Sequence, residues 1–343
     1  MLDDLKYIHD RDAQDALGIA EKQWQQLQQD YQLPNFNYQN IENVVVAGMG
    51  GSGLAAMVVK VWPGLNVPYE VINDYELPAY VGAKTLLIVS SYSGNTEETL
   101  SAFEQGMNKS AQIVVVASGG ELIERAKANR LPYLVLPSGY QPRMTLGYQL
   151  SALVHILEAC NLVEAKKAEL HQAASWLHDH LGTWRPDIPT KDNYAKQLAL
   201  ECVGKSAVIY SGPKLFPAAY KWKISFNENA KNIAWCNHYP EFNHNEFLGW
   251  TSHPQQKPYA VIELRSNLEH ARTQKRFQIT EKLLSGQRPA PQAIEVVGST
   301  ILEQLLYSIA LGDFVSLYLA LLNGLNPTPV DQIEKFKTSM QGE

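Results

Sequence analysis

The chain has 343 residues, 45% hydrophobic and 19% charged, with a net charge of −6. That length is enough for two ordinary domains, and the composition is globular rather than disordered. The acidic balance, without a Lys/Arg run longer than two, excludes the clustered basic surface of a general nucleic-acid binder.

Residues 1–40 read as a helical, then irregular, extension. Residues 13–31, rich in Gln, Ala and Lys with apolar Leu17, Ile19, Trp24 and Leu27, predict a helix that Pro34 ends. Residues 41–47 predict a strand running into Gly48-Met49-Gly50-Gly51-Ser52-Gly53, and 54–61 a helix stopped by Pro63. Strands are expected at 69–73, 85–89, Gln112–Ala117 and 131–136, with a helix over 97–107. Helical patterns follow at 146–162 and Lys166–Leu181, and 183–192, with Pro186 and Pro189, is the expected linker. A second α/β unit then begins. It has strands at 207–210, 259–264 and 294–297, a helix over 217–231 and a long helix over 300–323. Asn326-Pro327-Thr328-Pro329 breaks the chain before a terminal helix. Strands apolar on both faces and alternating with helices predict α/β architecture with doubly wound parallel sheets.

Ile301–Leu322 is the most apolar stretch, but Glu303, Gln304 and Asp313 interrupt it, which predicts a buried helix rather than a membrane span. The thiols Cys160, Cys202 and Cys236 are far apart and odd in number, supporting neither a disulfide framework nor a zinc site. Reduced thiols and an N-terminus without an apolar core point to a cytoplasmic protein.

Two turns carry the chemistry. Ser90-Ser91-Tyr92-Ser93-Gly94-Asn95-Thr96-Glu97-Glu98-Thr99 joins a strand to a helix whose first N–H groups lack partners. The hydroxyls of Ser91, Ser93 and Thr96 there predict a pocket for a small anion, most naturally a phosphate. A plain N-cap by Asn95 or Thr96 is the alternative. Gly48-x-Gly50-x-x-Gly53, with Asp74 about twenty residues on, also fits a dinucleotide fingerprint, so an NAD-binding enzyme stands as a rival. Ser52 inside that turn, and the hydroxyl-rich third turn, fit a sugar phosphate better than a dinucleotide.

Together the two turns resemble the sugar-isomerase (SIS) domain. Asn227-Glu228-Asn229-Ala230-Lys231 and Glu241-Phe242-Asn243-His244-Asn245-Glu246 further resemble the bifunctional phosphoglucose/phosphomannose isomerase family. The resemblance implies two SIS-type, flavodoxin-like or Rossmann-like domains at 41–182 and 193–343, with 1–40 packed on the core. It also implies an isomerase interconverting glucose 6-phosphate, and mannose 6-phosphate, with fructose 6-phosphate, without a cofactor, metal, nucleic acid or membrane. A non-catalytic sugar-phosphate-binding SIS protein is the other alternative.

Aldose–ketose exchange through a cis-enediol needs a carboxylate reaching two carbons, a ring-opening group and a cation beside the enediolate. Glu228 is the candidate base, where partial desolvation would raise its pKa. Read from spacing alone, a solvated helix-end carboxylate paired with Lys231 or Lys223 is the favoured reading, and the resemblance reverses it. His244 suits proton exchange near neutrality, and the resemblance implies that it serves a neighbouring subunit's site in a homodimer. Arg143, a surface arginine by sequence alone, is by resemblance the active-site arginine that stabilises the enediolate. Thr328 and Lys335 are seven apart, a spacing expected to place them on one helix face. By resemblance Lys335, rather than Lys337, assists ring opening, while Thr328 admits mannose 6-phosphate. Gly50, Gly51, Ser52, Ser91, Ser93 and Thr96 complete the expected substrate-binding set. His238 and His244, with Glu241 between them, are too widely spaced for a usual zinc site.

Overall fold

The computed structural model describes residues 1–33, 37–252 and 256–341. Contacts divide the chain into two compact units. One, called here the first unit, comprises Lys22–Asp179 with Ile301–Glu303; the second comprises Met1–Glu21, His180–Thr300 and Gln304–Glu343. The N-terminal segment is thus divided between them. It forms three short helices, α1 (Leu5–Arg11), α2 (Ala16–Glu21) and α3 (Gln23–Gln26), rather than one helix over 13–31. The Asp12 carboxylate accepts the N–H groups of Ala16 and Leu17 at 2.8 and 2.9 Å, which starts α2 afresh. Pro34, expected to end that helix, lies outside the described residues.

The first unit is built on five parallel strands in the order β2-β1-β3-β4-β5. They are β1 (Asn43–Ala47), β2 (Tyr69–Ile72), β3 (Thr85–Ser90), β4 (Gln112–Ala117) and β5 (Tyr133–Val135). In the register, Val46 faces Val71 and Ile88, and Val89 faces Val115. Every residue of β3 is buried, the continuous apolar pattern of a strand covered on both faces. The crossovers are α4 (Gly50–Val61), α5 (Glu97–Asn108) and α6 (Gly120–Ala128), and α7 (Leu146–Ala159) and α8 (Lys166–Leu181) follow. Helix α4 begins at Gly50, inside the glycine turn and four residues before the sequence pattern places it.

In the second unit, 182–192 contains short turns at Gly182–Trp184 and Thr190–Asp192, followed by α9 (Tyr194–Glu201). This expected linker is tied down. The fully buried Lys196 donates to the carbonyls of Pro186 and Ile188, at 2.8 and 2.7 Å, and to that of Leu2 at 2.6 Å. The sheet order β7-β6-β8-β9 again places the first strand between its successors. Its strands are β6 (Ser206–Ser211), β7 (Ala234–His238), β8 (Tyr259–Arg265) and β9 (Gln292–Glu295). Helix α10 (Phe216–Glu228) follows β6, α11 (Glu246–Gly249) follows β7 and α12 (Ala271–Leu283) follows β8. Strand β7 and helices α6, α9, α11 and α12 are missing from the sequence reading, and β9 begins two residues earlier than expected. Helix α13 (Ile301–Leu322) is long and apolar enough to cross a membrane, but 83% of its most apolar window is buried, as in a core helix. Helix α14 (Asp331–Gln341) closes the chain.

Candidate active site

In a doubly wound sheet, ligands bind beyond the C-terminal strand ends where the strand order reverses. In the first unit that point lies between β1 and β3, so the glycine turn and the serine turn flank it. The glycines serve distinct purposes. Gly50 has φ of +50°, while a Cβ on Gly51 would lie 2.6 Å from the Pro142 carbonyl oxygen. No other residue fits such an approach without moving backbone. The same closeness brings the 3-10 turn Pro142–Met144, and with it Arg143, against the start of α4. Arg143 is only 2% exposed, so the surface-arginine reading does not hold. Its guanidinium donates to Gln141 Oε1 at 3.4 Å.

Neither helix facing this point is capped by a side chain. Met49 precedes α4 and Thr96 precedes α5, and neither makes a side-chain cap bond. Thr96 Oγ1 bonds instead to Ser91 Oγ at 2.8 Å, and Asn95 Oδ1 accepts the N–H of Glu121 at 2.8 Å. Both N-cap alternatives are therefore overturned, and the first N–H groups of α5 are left open by their own helix. Ser91 Oγ also accepts the Gly94 N–H at 3.2 Å, Ser93 Oγ accepts the Asn95 N–H at 3.3 Å, and Ser52 Oγ accepts the Tyr92 N–H at 3.2 Å. Thr99 Oγ1 returns to the Thr96 carbonyl at 2.8 Å, so it takes no part in the pocket. Two helix starts without side-chain caps, with hydroxyls around them, can together hold an anion. Asp74, the acid of the rival dinucleotide pattern, accepts the N–H of its neighbour Tyr75 at 2.7 Å.

In the second unit, Glu228 is the last residue of α10 and is half-buried. The helix stops there, three residues before the sequence pattern ends it. Lys231 sits beyond it with φ of +52°. Its ammonium donates to the carbonyls of Asn229, Asn326 and Pro327 at 3.2, 3.0 and 2.9 Å. Lys231 thus straps the end of the Glu228 helix to the segment carrying Thr328. Thr328 itself precedes α14 by three residues, so the expectation that it shares a helix face with Lys335 is corrected. Lys335 is exposed on α14, whereas Lys337 pairs with Glu334 at 2.8 Å.

His244 ends the turn Glu241–His244 and is exposed, while its neighbours are all engaged. Asn243 donates to Thr280 Oγ1 at 2.9 Å, Asn245 donates to Glu241 at 2.6 Å, and Asn237 donates to Glu246 Oε2 at 2.6 Å. The Tyr210 hydroxyl donates to the other Glu246 oxygen. The Asn-His-Asn-Glu run is therefore three tethers holding one exposed imidazole. His238, at the end of β7, lies 4.7 Å from the Phe216 ring, and burial lowers its pKa.

The second sheet has its own reversal point, between β6 and β8, and sequence reasoning missed what fills it. Glu269, after β8 and only 6% exposed, accepts the Lys214 N–H at 2.7 Å. A Cβ on Gly212 would lie 2.2 Å from the same carboxylate oxygen. Burial raises the pKa of this carboxyl. The only sequence signal was the Ser211-Gly212-Pro213 turn after a strand, which marks the place but not its occupant.

Residues 191–340 match the family described as the bacterial phospho-glucose isomerase C-terminal SIS domain. Among curated proteins, the chain is 36% identical over 327 residues to a bifunctional phosphoglucose/phosphomannose isomerase of Caldicellulosiruptor bescii, covering 92% of this chain and 96% of that one. It is 34% identical over 303 residues to the enzyme of the same name from Aquifex aeolicus, covering 88% and 91% of the two chains. Among solved structures, a glucose-6-phosphate isomerase like protein from Thermus thermophilus superposes with a TM-score of 0.67 at 17% identity, covering 98% of each chain. That last likeness concerns the fold.

Proposed function

The chain belongs to the bifunctional phosphoglucose/phosphomannose isomerase family, and on that premise we propose that it interconverts glucose 6-phosphate and mannose 6-phosphate with fructose 6-phosphate. The observation that carries the reading at the level of geometry is the uncapped start of α5. There Thr96 turns to Ser91 instead of closing its own helix, leaving hydroxyls and N–H groups for a phosphate. Ser91, Ser93, Thr96 and Ser52, with the Gly50–Gly51 backbone, grip this non-reacting end, and the binding energy positions C1 and C2.

His244 and Lys335 open the ring by moving the proton of the anomeric hydroxyl to the ring oxygen. The Glu228 carboxylate then takes the C2 proton, the C1–C2 double bond forms, and the former carbonyl oxygen is protonated to give the cis-enediol. Arg143 stabilises the negative charge that develops on the way. Return of the proton from Glu228 to C1, with loss of the O2 proton, gives the ketose. Mannose 6-phosphate, the C2 epimer, reaches the same enediol after rotation about C2–C3, for which Thr328 leaves room. The exposed His244, fixed by its tethered neighbours, suits a homodimer in which it enters the neighbouring subunit's site.

A coupled assay with each aldose phosphate tests the substrates, and conversion of neither overturns the reading in favour of a sugar-phosphate-binding protein. The Glu228→Gln variant is expected to lose solvent-deuterium exchange at C2 while still binding 5-phosphoarabinonate. Normal turnover by that variant means another group is the base.

A further inference from the structure

Helix α10 meets α13 through a polar row set in an apolar contact. Lys221, Ser225 and Asn229 recur every four residues, so they share one helix face. The Lys221 ammonium pairs with Asp313 of α13 and donates to Ser225 Oγ at 2.7 Å. Ser225 Oγ donates to Asp313 Oδ1 at 2.8 Å, and Asn229 Nδ2 donates to Ser316 Oγ at 2.9 Å. Ser316 Oγ in turn donates to the Asp313 carbonyl at 2.9 Å. Lys221, Ser225 and Asn229 are all buried. Beside the row, Trp222 Nε1 donates to the Ser308 carbonyl at 2.6 Å, and a Cβ on Gly312 would lie 2.4 Å from the indole.

None of these groups has a task in the isomerisation. Nor is stability a sufficient reason for them, because a buried ion pair often contributes no more than apolar residues of the same volume. What the row adds is directionality. Apolar side chains tolerate small slides and rotations of one helix on another, whereas fixed donors and acceptors admit one register. The row ends at Asn229, adjacent to Glu228. We infer that the Lys221–Asp313 pair, with Ser225, Asn229 and Ser316, is the register lock of α10, which fixes the height and rotation of the Glu228 carboxylate. Lys221 and Asp313 are thus positioning residues. The inference rests on Glu228 being the base.

The test replaces the pair by apolar residues of similar size, Lys221→Met with Asp313→Leu in one protein. Thermal midpoint, kcat and KM are then measured. A midpoint at or above that of the wild type is expected, with kcat lower by about ten- to a hundredfold, the penalty for displacing a catalytic group by about 1 Å. KM is expected to stay within about twofold, because the phosphate cradle is untouched. Recovery of full kcat together with stability overturns the lock. Should the double variant not fold, Ser316→Ala keeps the Lys221–Asp313 pair and removes the Asn229 bond next to Glu228, together with the local bond to the Asp313 carbonyl. It is expected to lower kcat about threefold to tenfold with KM kept, and an unchanged kcat overturns the lock equally. Glu228→Gln is the control. If it is inactive while the double variant is fully active, only the lock fails; if it turns over normally, the base assignment falls and the lock with it.

Discussion

Gly94 adopts φ of +74°, and a Cβ there would lie 1.9 Å from the Gly119 carbonyl oxygen. Gly94→Ala therefore incurs the left-handed backbone cost of about 1–3 kcal/mol and a backbone clash besides. Urea denaturation should show a loss of at least that size, and an unchanged midpoint would mean the serine turn is looser than described. Substitutions at the hydroxyls act differently. Ser91→Ala breaks the Ser91–Thr96 bond and removes a proposed phosphate donor, so KM for the sugar phosphate should rise about tenfold, with a stability loss of only about 0.5–1.5 kcal/mol. A steady-state titration that finds KM unaltered removes Ser91 from the cradle. At this scale the sequence was informative where chemistry requires a residue type. Glycines in a close turn and hydroxyls at a helix start announce themselves. It was silent where the outcome depends on a distant carbonyl or on packing. Thr99 looks like one more hydroxyl of the serine turn until its bond to Thr96 is seen, and nothing local in Gln-Pro-Arg-Met shows that Arg143 is buried.

The elements that carry the proposed catalytic residues are held at their ends. Helix α10 stops at Glu228, and Lys231 bonds the chain beyond it to the Asn326 and Pro327 carbonyls. The loop carrying His244 hangs from Glu246, which receives Tyr210 and Asn237 from the sheet. Glu246→Ala removes the loop's tie to the sheet and leaves the buried Tyr210 hydroxyl without its acceptor. The expected result is kcat reduced about tenfold or more with KM nearly unchanged, since the role proposed for His244 is at the ring and not at the phosphate. An equal rise in KM would place the loop in substrate binding instead. Elements with strong apolar patterns, β3, β4 and α13, were legible almost to the residue. Strand β7, reading Ala-Trp-Cys-Asn-His, lies at a sheet edge and is only partly buried, so it lacks the pattern that marks a strand. Helix α12 buries only Thr273, Phe277 and Thr280 and is otherwise polar, which hides it from a search for apolar periodicity. The polar row of α10 did leave a trace: Asp313 stood out in the most apolar stretch, but without its partner it could only argue against a membrane span.

Across the molecule, one strand order is used twice, and the two reversal points have diverged. In the first unit the loop after β3 offers hydroxyls; in the second, the corresponding loop after β8 offers the Glu269 carboxylate. Burial holds that carboxyl above its ordinary 4.5, so the folded chain keeps a proton there that the unfolded chain has released. Stability contributed by this group is therefore present at acid pH and falls as pH rises from about 4.5 through the raised value. Urea titrations across that window should show a downward slope in the wild type that Glu269→Gln flattens. Matching slopes in the two proteins would assign the titration elsewhere.

The same carboxylate has a consequence for stoichiometry. A chain with two similar strand-end crevices invites the expectation of two bound phosphates, yet one crevice carries its anion as part of its own sequence. Calorimetric titration with 5-phosphoarabinonate should saturate at one ligand per chain, and excess inorganic phosphate should compete at that single place without a second phase. One ligand per chain would mean that the placement of one glutamate makes a duplicated fold single-sited.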